Sequence, residues 1–132
     1  MRVLVDTSVW SLALRRSGPT DHPAVRKLST LLLDNEDVVL IGVVLQEMLQ
    51  AFRDEATVRK VSAHLEPFPM LPLSREDFAA AAALYRRCAS RGVSASTIDC
   101  LIATAAINHD CLLLTADRDF ERLAGHSPLR LL

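Results

Sequence analysis

Three short apolar runs set the strongest constraint on what this chain can fold into. Val3-Leu4-Val5, Val38-Val39-Leu40-Ile41 and Cys111-Leu112-Leu113-Leu114 are continuously apolar rather than alternating. A strand with one face in water alternates with a period of two, so an unbroken run marks a strand buried on both faces. Helix-periodic segments separate these runs, and strands separated by helices pair in parallel through right-handed crossovers. The expected class is α/β, a three-layer α/β/α sandwich around a central parallel sheet. At 132 residues, the chain is long enough for one full core and too short for two, so residues 1–132 are expected to form a single domain.

Taken in order, Val9 to Arg16 reads as a short helix stopped by Ser17-Gly18-Pro19. Asp21 is the expected cap of a second helix, with Pro23 in its first turn. A helix follows Gly42 to about Arg53, with Leu45, Met48, Leu49 and Phe52 as its apolar stripe and Glu47 at the edge of that face. A further helix is expected from about Glu55 to Leu65. Ser74-Arg75-Glu76-Asp77 resembles a capping motif, opening a long helix whose stripe reads Phe78, Ala81, Ala82, Tyr85, Cys88 and Ala89. Gly92 is its expected left-handed terminator. Ser96-Thr97-Ile98-Asp99 opens the next helix, with Ile98, Leu101, Ile102 and Ala105 inward, and Asp117 to Ala124 reads as the last.

Phe68-Pro69-Met70-Leu71-Pro72-Leu73 looks extended, but each proline removes a ladder donor, which confines it to a sheet edge. Leu129-Arg130-Leu131-Leu132 is the other natural edge. Numbered along the chain, the strands then fall in the order 3-2-1-4-5, and the winding reverses between strands 1 and 4. Ligands of such sheets bind at the carboxyl ends of the strands at that reversal.

Acids are what reach this rim. Asp6 ends the first strand, Asp117 and Asp119 follow the fourth, Glu47 lies a turn and a half into the helix after the second, and Asp99 lies in the first turn of the helix before the fourth. Each also has a structural explanation: Asp6, Asp99 and Asp117 stand where helix caps or dipole-compensating acids stand. Gathered together, they would repel one another and call for a cation. Oxygen donors without His or Cys suit a hard ion, Mg²⁺ or Mn²⁺. Ions of that kind support phosphodiester hydrolysis. Thr7, Ser8 and Thr115 are placed to orient the carboxylates.

Other classes fit less well. A phosphoryl-accepting receiver needs paired acids after the first strand and a lysine after the last, but Asp6 stands alone and no lysine follows Lys60. An aspartate-nucleophile phosphatase needs a second acid where Thr7 and Ser8 stand. Four glycines leave no phosphate-binding loop. Cys88, Cys100 and Cys111 are odd in number with no C-x-x-C pair, which reads as reduced, buried thiols of a cytoplasmic protein. No stretch resembles a signal peptide or a membrane span.

Collectively, Val5-Asp6-Thr7-Ser8-Val9-Trp10, Val43-Val44-Leu45-Gln46-Glu47, Arg91-Gly92-Val93 with Ser96-Thr97-Ile98-Asp99-Cys100-Leu101-Ile102-Ala103, and Asp117-Arg118-Asp119-Phe120 resemble the PIN domain. More narrowly, they are similar to the VapC toxins of prokaryotic type II toxin–antitoxin modules. The resemblance is collinear along essentially the whole chain. It implies a PIN-like fold and a Mg²⁺-dependent endoribonuclease that cleaves RNA by metal-activated water. It further implies that Asp6, Glu47, Asp99 and Asp117 are the catalytic, metal-holding quartet, with Asp119 able to share the role of Asp117. A cognate VapB-like antitoxin and a homodimer are the implied partners. The alternatives are a non-toxin PIN nuclease of RNA processing and a silent PIN-like binding module.

With a formal net charge of −1, any grip on RNA must come from local cations. Arg118, Arg91 and Arg15 are the candidates, Arg118 foremost because it stands between two of the acids. Aromatic residues make up only 5% of the chain, so base stacking is not expected to dominate. His22, His64, His109 and His126 read as surface or capping residues, and Trp10 as core. The Leu- and Val-rich outer side of the second and third helices is the candidate partner surface.

Overall fold

The structure, a computed structural model, describes residues 1–14 and 21–132. Its centre is a parallel three-stranded sheet of β1 (Arg2–Val5), β2 (Asp37–Val39) and β3 (Leu112–Leu114), in the order β2-β1-β3. Leu4 lies opposite Val39 on one side and Leu113 on the other. Successive strand residues point to opposite faces, and Val3, Leu4 and Val5 are all fully buried, so both faces of the sheet are covered.

The two expected edge strands are present as single parallel bridges. Met70 pairs with Leu40, and Leu131 with Leu113. Leu40 donates to the Pro69 carbonyl at 2.9 Å, and Leu71 returns a bond to Leu40 at 2.8 Å. Pro69 and Pro72, lacking N–H groups, bracket this contact and keep it short. The spatial order is therefore 3-2-1-4-5 as expected, with the outer members reduced to two hydrogen bonds each.

The helices are α1 (Thr7–Ala13), α2 (Pro23–Leu33), α3 (Gly42–Gln50), α4 (Glu55–Leu65), α5 (Arg75–Ser90), α6 (Thr97–Asn108) and α7 (Asp119–Gly125). Contacts link α1 to α2 and α3, and α3 to α4, while α5 packs along α6. The chain steps one way across the sheet up to the Met70 bridge and then returns past β1 to β3. Right-handed crossovers accordingly place α1–α4 on one face and the α5–α6 pair on the other. Asn35 and Asp110, each in the turn between a helix and the following strand, take the left-handed conformation (φ 53° and 54°) that Asn and Asp tolerate. Gly92 (φ 71°) does the same after α5.

Several local expectations are corrected. His22, not Asp21, caps α2: its Nδ1 accepts from the Ala24 N–H at 3.1 Å, and Asp21 pairs with Arg26 instead. Helix α1 begins at Thr7 rather than Val9, and its expected end at Arg16 lies outside the described residues. Helix α3 stops at Gln50, and α7 begins at Asp119.

The buried stripe of α5 is Asp77, Ala81, Leu84 and Cys88. Phe78 and Tyr85 are 53% and 46% exposed, and Ala82 and Ala89 face outward too. Helix α5 carries apolar residues on more than half its circumference, so periodicity alone does not choose the buried side. On α6, Ile102 and Ala105 are buried as expected, but Ile98 is exposed and Leu101 only half-buried. Of the proposed partner surface, the exposed part is Leu32 and Leu33 at the end of α2.

Trp10 belongs to the core, tilted against Phe68 with ring centroids 5.1 Å apart. All three cysteines are free and buried. No described helix is long and apolar enough to cross a membrane.

Candidate metal centre

The carboxyl end of β1 hands Asp6 directly to the rim. Its N–H continues the sheet to the Leu114 carbonyl at 2.9 Å, and its own carbonyl accepts from Val9 and Trp10 to start α1. Asp6 is thus the N-cap residue by position, but its side chain makes no capping bond. Oδ2 accepts instead from Ser8 Oγ (2.7 Å) and Thr115 Oγ1 (2.9 Å). Oδ1 accepts nothing among the described residues, and the residue as a whole is only 5% exposed. Neither Thr7 nor Ser8 caps α1 with its side chain, because both hydroxyls are engaged with carboxylates, as expected of residues that orient them.

The hydroxyls of Ser8 and Thr115 fasten the loop after β3 to Asp6. The Ala116 N–H donates to Ser8 Oγ at 3.0 Å, and the Asp117 N–H donates to Thr115 Oγ1 at 3.0 Å. Each hydroxyl therefore accepts from the loop backbone and donates to the same carboxylate oxygen, which is the full use of one donor and one acceptor. Asp117 is in this way placed by Asp6 itself. Thr7 Oγ1 donates to Glu47 Oε1 at 2.8 Å, which ties α3 to the start of α1 at the same rim.

Three acids form the tight group. Carboxylate oxygens of Asp99, Asp117 and Asp119 lie within 4.8 Å of one another. Helix α5 has thus returned the chain to the carboxyl-end rim before α6 begins, which brings Asp99 to the others. Asp117 accepts from the Asp119 N–H at 2.9 Å, and Asp119 pairs with Arg122 at 2.7 Å. The Asp99 carboxyl is pushed up to about 6, first by burial and then by the charges of Asp117, Asp6 and Asp119, against a lowering bond from Ser96. Asp6 therefore acts on the group electrostatically without being one of its three tight members. Glu47 stands apart, on Thr7.

The donor set fits a hard divalent ion. Ligand oxygens at ~2.1 Å from Mg²⁺ lie up to about 4.2 Å apart across the ion, oxygens of these three acids lie within 4.8 Å of one another, and an all-carboxylate set has the hardness required. A cation would also relieve the repulsion recorded by Asp99.

The cations divide. Arg118 lines a cavity of about 460 Å³ with Thr115 and Asp117. Arg91, exposed at the end of α5, reaches His126 Nδ1 at 3.5 Å and does not line the cavities beside the acids. Arg15 lies outside the described residues. The histidines stand as expected: His22, His109 and His126 at helix caps and His64 in the last turn of α4. Sequence reasoning missed Arg122, although its i,i+3 spacing from Asp119 was visible. It also passed over Asp77 as more than a cap. That side chain, 7% exposed, accepts from the Ser74 N–H (2.9 Å), Asn108 Nδ2 (2.8 Å) and His109 Nε2 (3.2 Å), joining the start of α5 to the end of α6.

Known proteins share this arrangement of elements. A sequence model of the PIN domain matches residues 3–126. The chain is 31% identical over 124 residues to VapC ribonuclease Mb1587 of Mycobacterium bovis and to ribonuclease VapC11 of Mycobacterium tuberculosis, covering 92% of this chain and 91% of each relative. Among solved structures, VapBC2 from Rickettsia felis, bound to a DNA fragment from its promoter, matches with a TM-score of 0.80 at 18% identity, over 100% of this chain and 98% of that one. Sequence and fold agree: the chain belongs to the PIN-domain family, among its VapC-type members.

Proposed function

We propose that this chain is a Mg²⁺- or Mn²⁺-dependent endoribonuclease, the toxin of a type II toxin–antitoxin module, acting as a single cytoplasmic domain. The observation that carries this reading is the Asp99–Asp117–Asp119 group with Asp6 fixed beside it. The likeness to relatives named VapC ribonuclease supports RNA as the substrate.

Asp99 and Asp117 would hold the ion, with Asp6 Oδ1 and Asp119 as further donors. A bound divalent ion supplies a nucleophilic water at neutral pH and offsets charge on the phosphoryl oxygens. The protein's own part is orientation. Ser8 and Thr115 hold Asp6, and through the loop backbone Asp117, in one geometry, while Thr7 holds Glu47 within the same rim to accept a proton. Arg118 meets a substrate phosphate.

The named VapBC assembly supports a VapB-like antitoxin as partner. The apolar groove of about 400 Å³ between α5 and α6, lined by Phe78, Tyr85 and Leu101, supports a homodimer. RNA fragments incubated with wild type and Asp6→Asn, with Mg²⁺ or with EDTA, test the reading. Wild type cuts only with Mg²⁺, and Asp6→Asn is slower by about 10³-fold, the equivalent of ~4 kcal/mol. Equal cutting by both proteins, or cutting that survives EDTA, disproves it.

A further inference from the structure

The acid group stands between two hollows of different chemistry. One, of about 310 Å³, is lined by Val93 to Ser96, Asp99, Asp119, Arg122 and Leu123. Its one cation, Arg122, is already paired with Asp119. The other, of about 460 Å³, lies between the start of α2 and the loop after β3, and Thr115 and Asp117 form its wall on the acid side. Lys27, Arg118 and His22 line it as well, opposed by Asp117 and the exposed Glu121.

We propose that this second hollow is a phosphodiester subsite, holding a nucleotide that flanks the scissile bond through its phosphate, with Lys27 and His22 as grips alongside Arg118. The inference rests on the ribonuclease reading and adds residues that reading does not use.

The chemistry of the hollow narrows how it binds. The start of α2 offers no backbone donor: Pro23 has no N–H, Ala24 donates to His22 Nδ1, and Val25 and Arg26 donate to the His22 carbonyl. An anion there must be held by side chains. Lys27 Nζ donates to the Leu132 carbonyl at 3.2 Å, which steadies the ammonium and leaves its other hydrogens for a ligand. His22, accepting at Nδ1, carries its ring proton on Nε2 when neutral and so presents a donor. Arg118 has no ion-pair partner among the described residues. Once Asp117 faces a cation, Lys27 and Arg118 face one remaining side-chain acid in the lining, Glu121. The volume lies within the ~300–1,000 Å³ of small-ligand sites. No aromatic side chain lines it, so the grip falls on phosphate and sugar and does not read the base.

The test measures binding of a labelled eight-nucleotide single-stranded RNA to the full chain carrying Asp6→Asn, in Mg²⁺, across a series of KCl concentrations. Adding Lys27→Gln weakens binding and flattens the slope of log K against log salt by ~0.7, the value of one lost phosphate contact on a single strand. Lys27→Arg restores the slope, Arg118→Gln flattens it likewise, and Lys60→Gln on α4 leaves it unchanged. The loss is the same for oligonucleotides of different sequence. If RNA binds but Lys27→Gln and Arg118→Gln keep the parent slope, the subsite is refuted while the ribonuclease reading stands. If the loss depends on base identity, phosphate recognition is refuted. If the parent binds no RNA and the wild-type chain cuts none, the ribonuclease reading fails and the subsite with it.

Discussion

Helices α5 and α6 open on the same spacing, Ser74-x-x-Asp77 and Ser96-x-x-Asp99, and deliver two opposite carboxylates. In both, the serine hydroxyl accepts from the aspartate N–H, at 3.3 Å and 3.0 Å. Both acids lie in a first helical turn, where the dipole favours the ionised form. Yet Asp77 is lowered to about 2, by the Ser74 N–H first and then by Asn108 and His109, despite its burial. Asp99 is raised to about 6, by burial first and then by Asp117, Asp6 and Asp119. The cap motif places a carboxylate, and what surrounds it in three dimensions sets its charge. Helix α6 joins the two cases, since its last residues satisfy Asp77 and its first turn carries Asp99. One end of the helix is a stabilising knot, and the other carries an acid crowded by two more.

The sharpest way to break this comparison is to remove each carboxylate in turn. Asp77→Ala strands the Ser74 N–H, Asn108 and His109 in a buried setting and costs about 3 kcal/mol of stability, because bonds to a charged group carry more than neutral ones. Asp99→Asn relieves repulsion and leaves the metal-free protein at least as stable as wild type. Urea unfolding in EDTA reads both. Equal destabilisation by the two substitutions would mean that Asp99 is a structural cap after all.

A smaller effect appears in the pH dependence of the metal-free chain. The folded pKa of Asp77 lies below its ordinary 3.8, so its stabilisation is present above that value and is lost as pH falls through about 2. For Asp99 the sign reverses. Its folded pKa lies above 3.8, so its contribution is complete below that pH and disappears as pH rises through about 6. In EDTA, the urea midpoint of wild type should therefore fall, relative to that of Asp99→Asn, as pH rises from 4 to 7. Parallel profiles for the two proteins would remove the electrostatic half of the comparison.

How much of this was readable in the sequence follows from where each determinant lies. Val3-Leu4-Val5 and Val38-Val39 were legible as central strands because burial on both faces leaves a continuous apolar run. Pro69 and Pro72 marked an edge because they lack donors. The acids at Asp6 and Asp117 were legible because strand ends define the rim. Asp99 is legible by position as a cap and as a rim acid only on the condition that α5 carries the chain back, and the family resemblance alone gives it a metal-holding role. The partners of Asp77 were invisible for a related reason: Asn108 and His109 lie 31 and 32 residues away and meet it only once α5 and α6 pack. Phe78 and Tyr85 were misplaced because a helix apolar on two sides does not say which side meets the sheet.

The two serines supply the finest discrimination. Ser74→Ala and Ser96→Ala each remove a cap and should each cost about 1 kcal/mol, so stability alone does not tell the helices apart. Their effects on the acids do. Ser96 lowers the Asp99 pKa against the push of burial and neighbouring charge, so Ser96→Ala moves it further above 6. Asp77 in Ser74→Ala keeps its bonds from the residue-74 backbone N–H, Asn108 and His109 and stays below 3.8. Carboxyl carbon NMR titration of the metal-free variants measures both shifts. If Ser96→Ala leaves Asp99 where it was, the hydroxyl only caps the helix, and the raised pKa belongs wholly to burial and to the neighbouring acids.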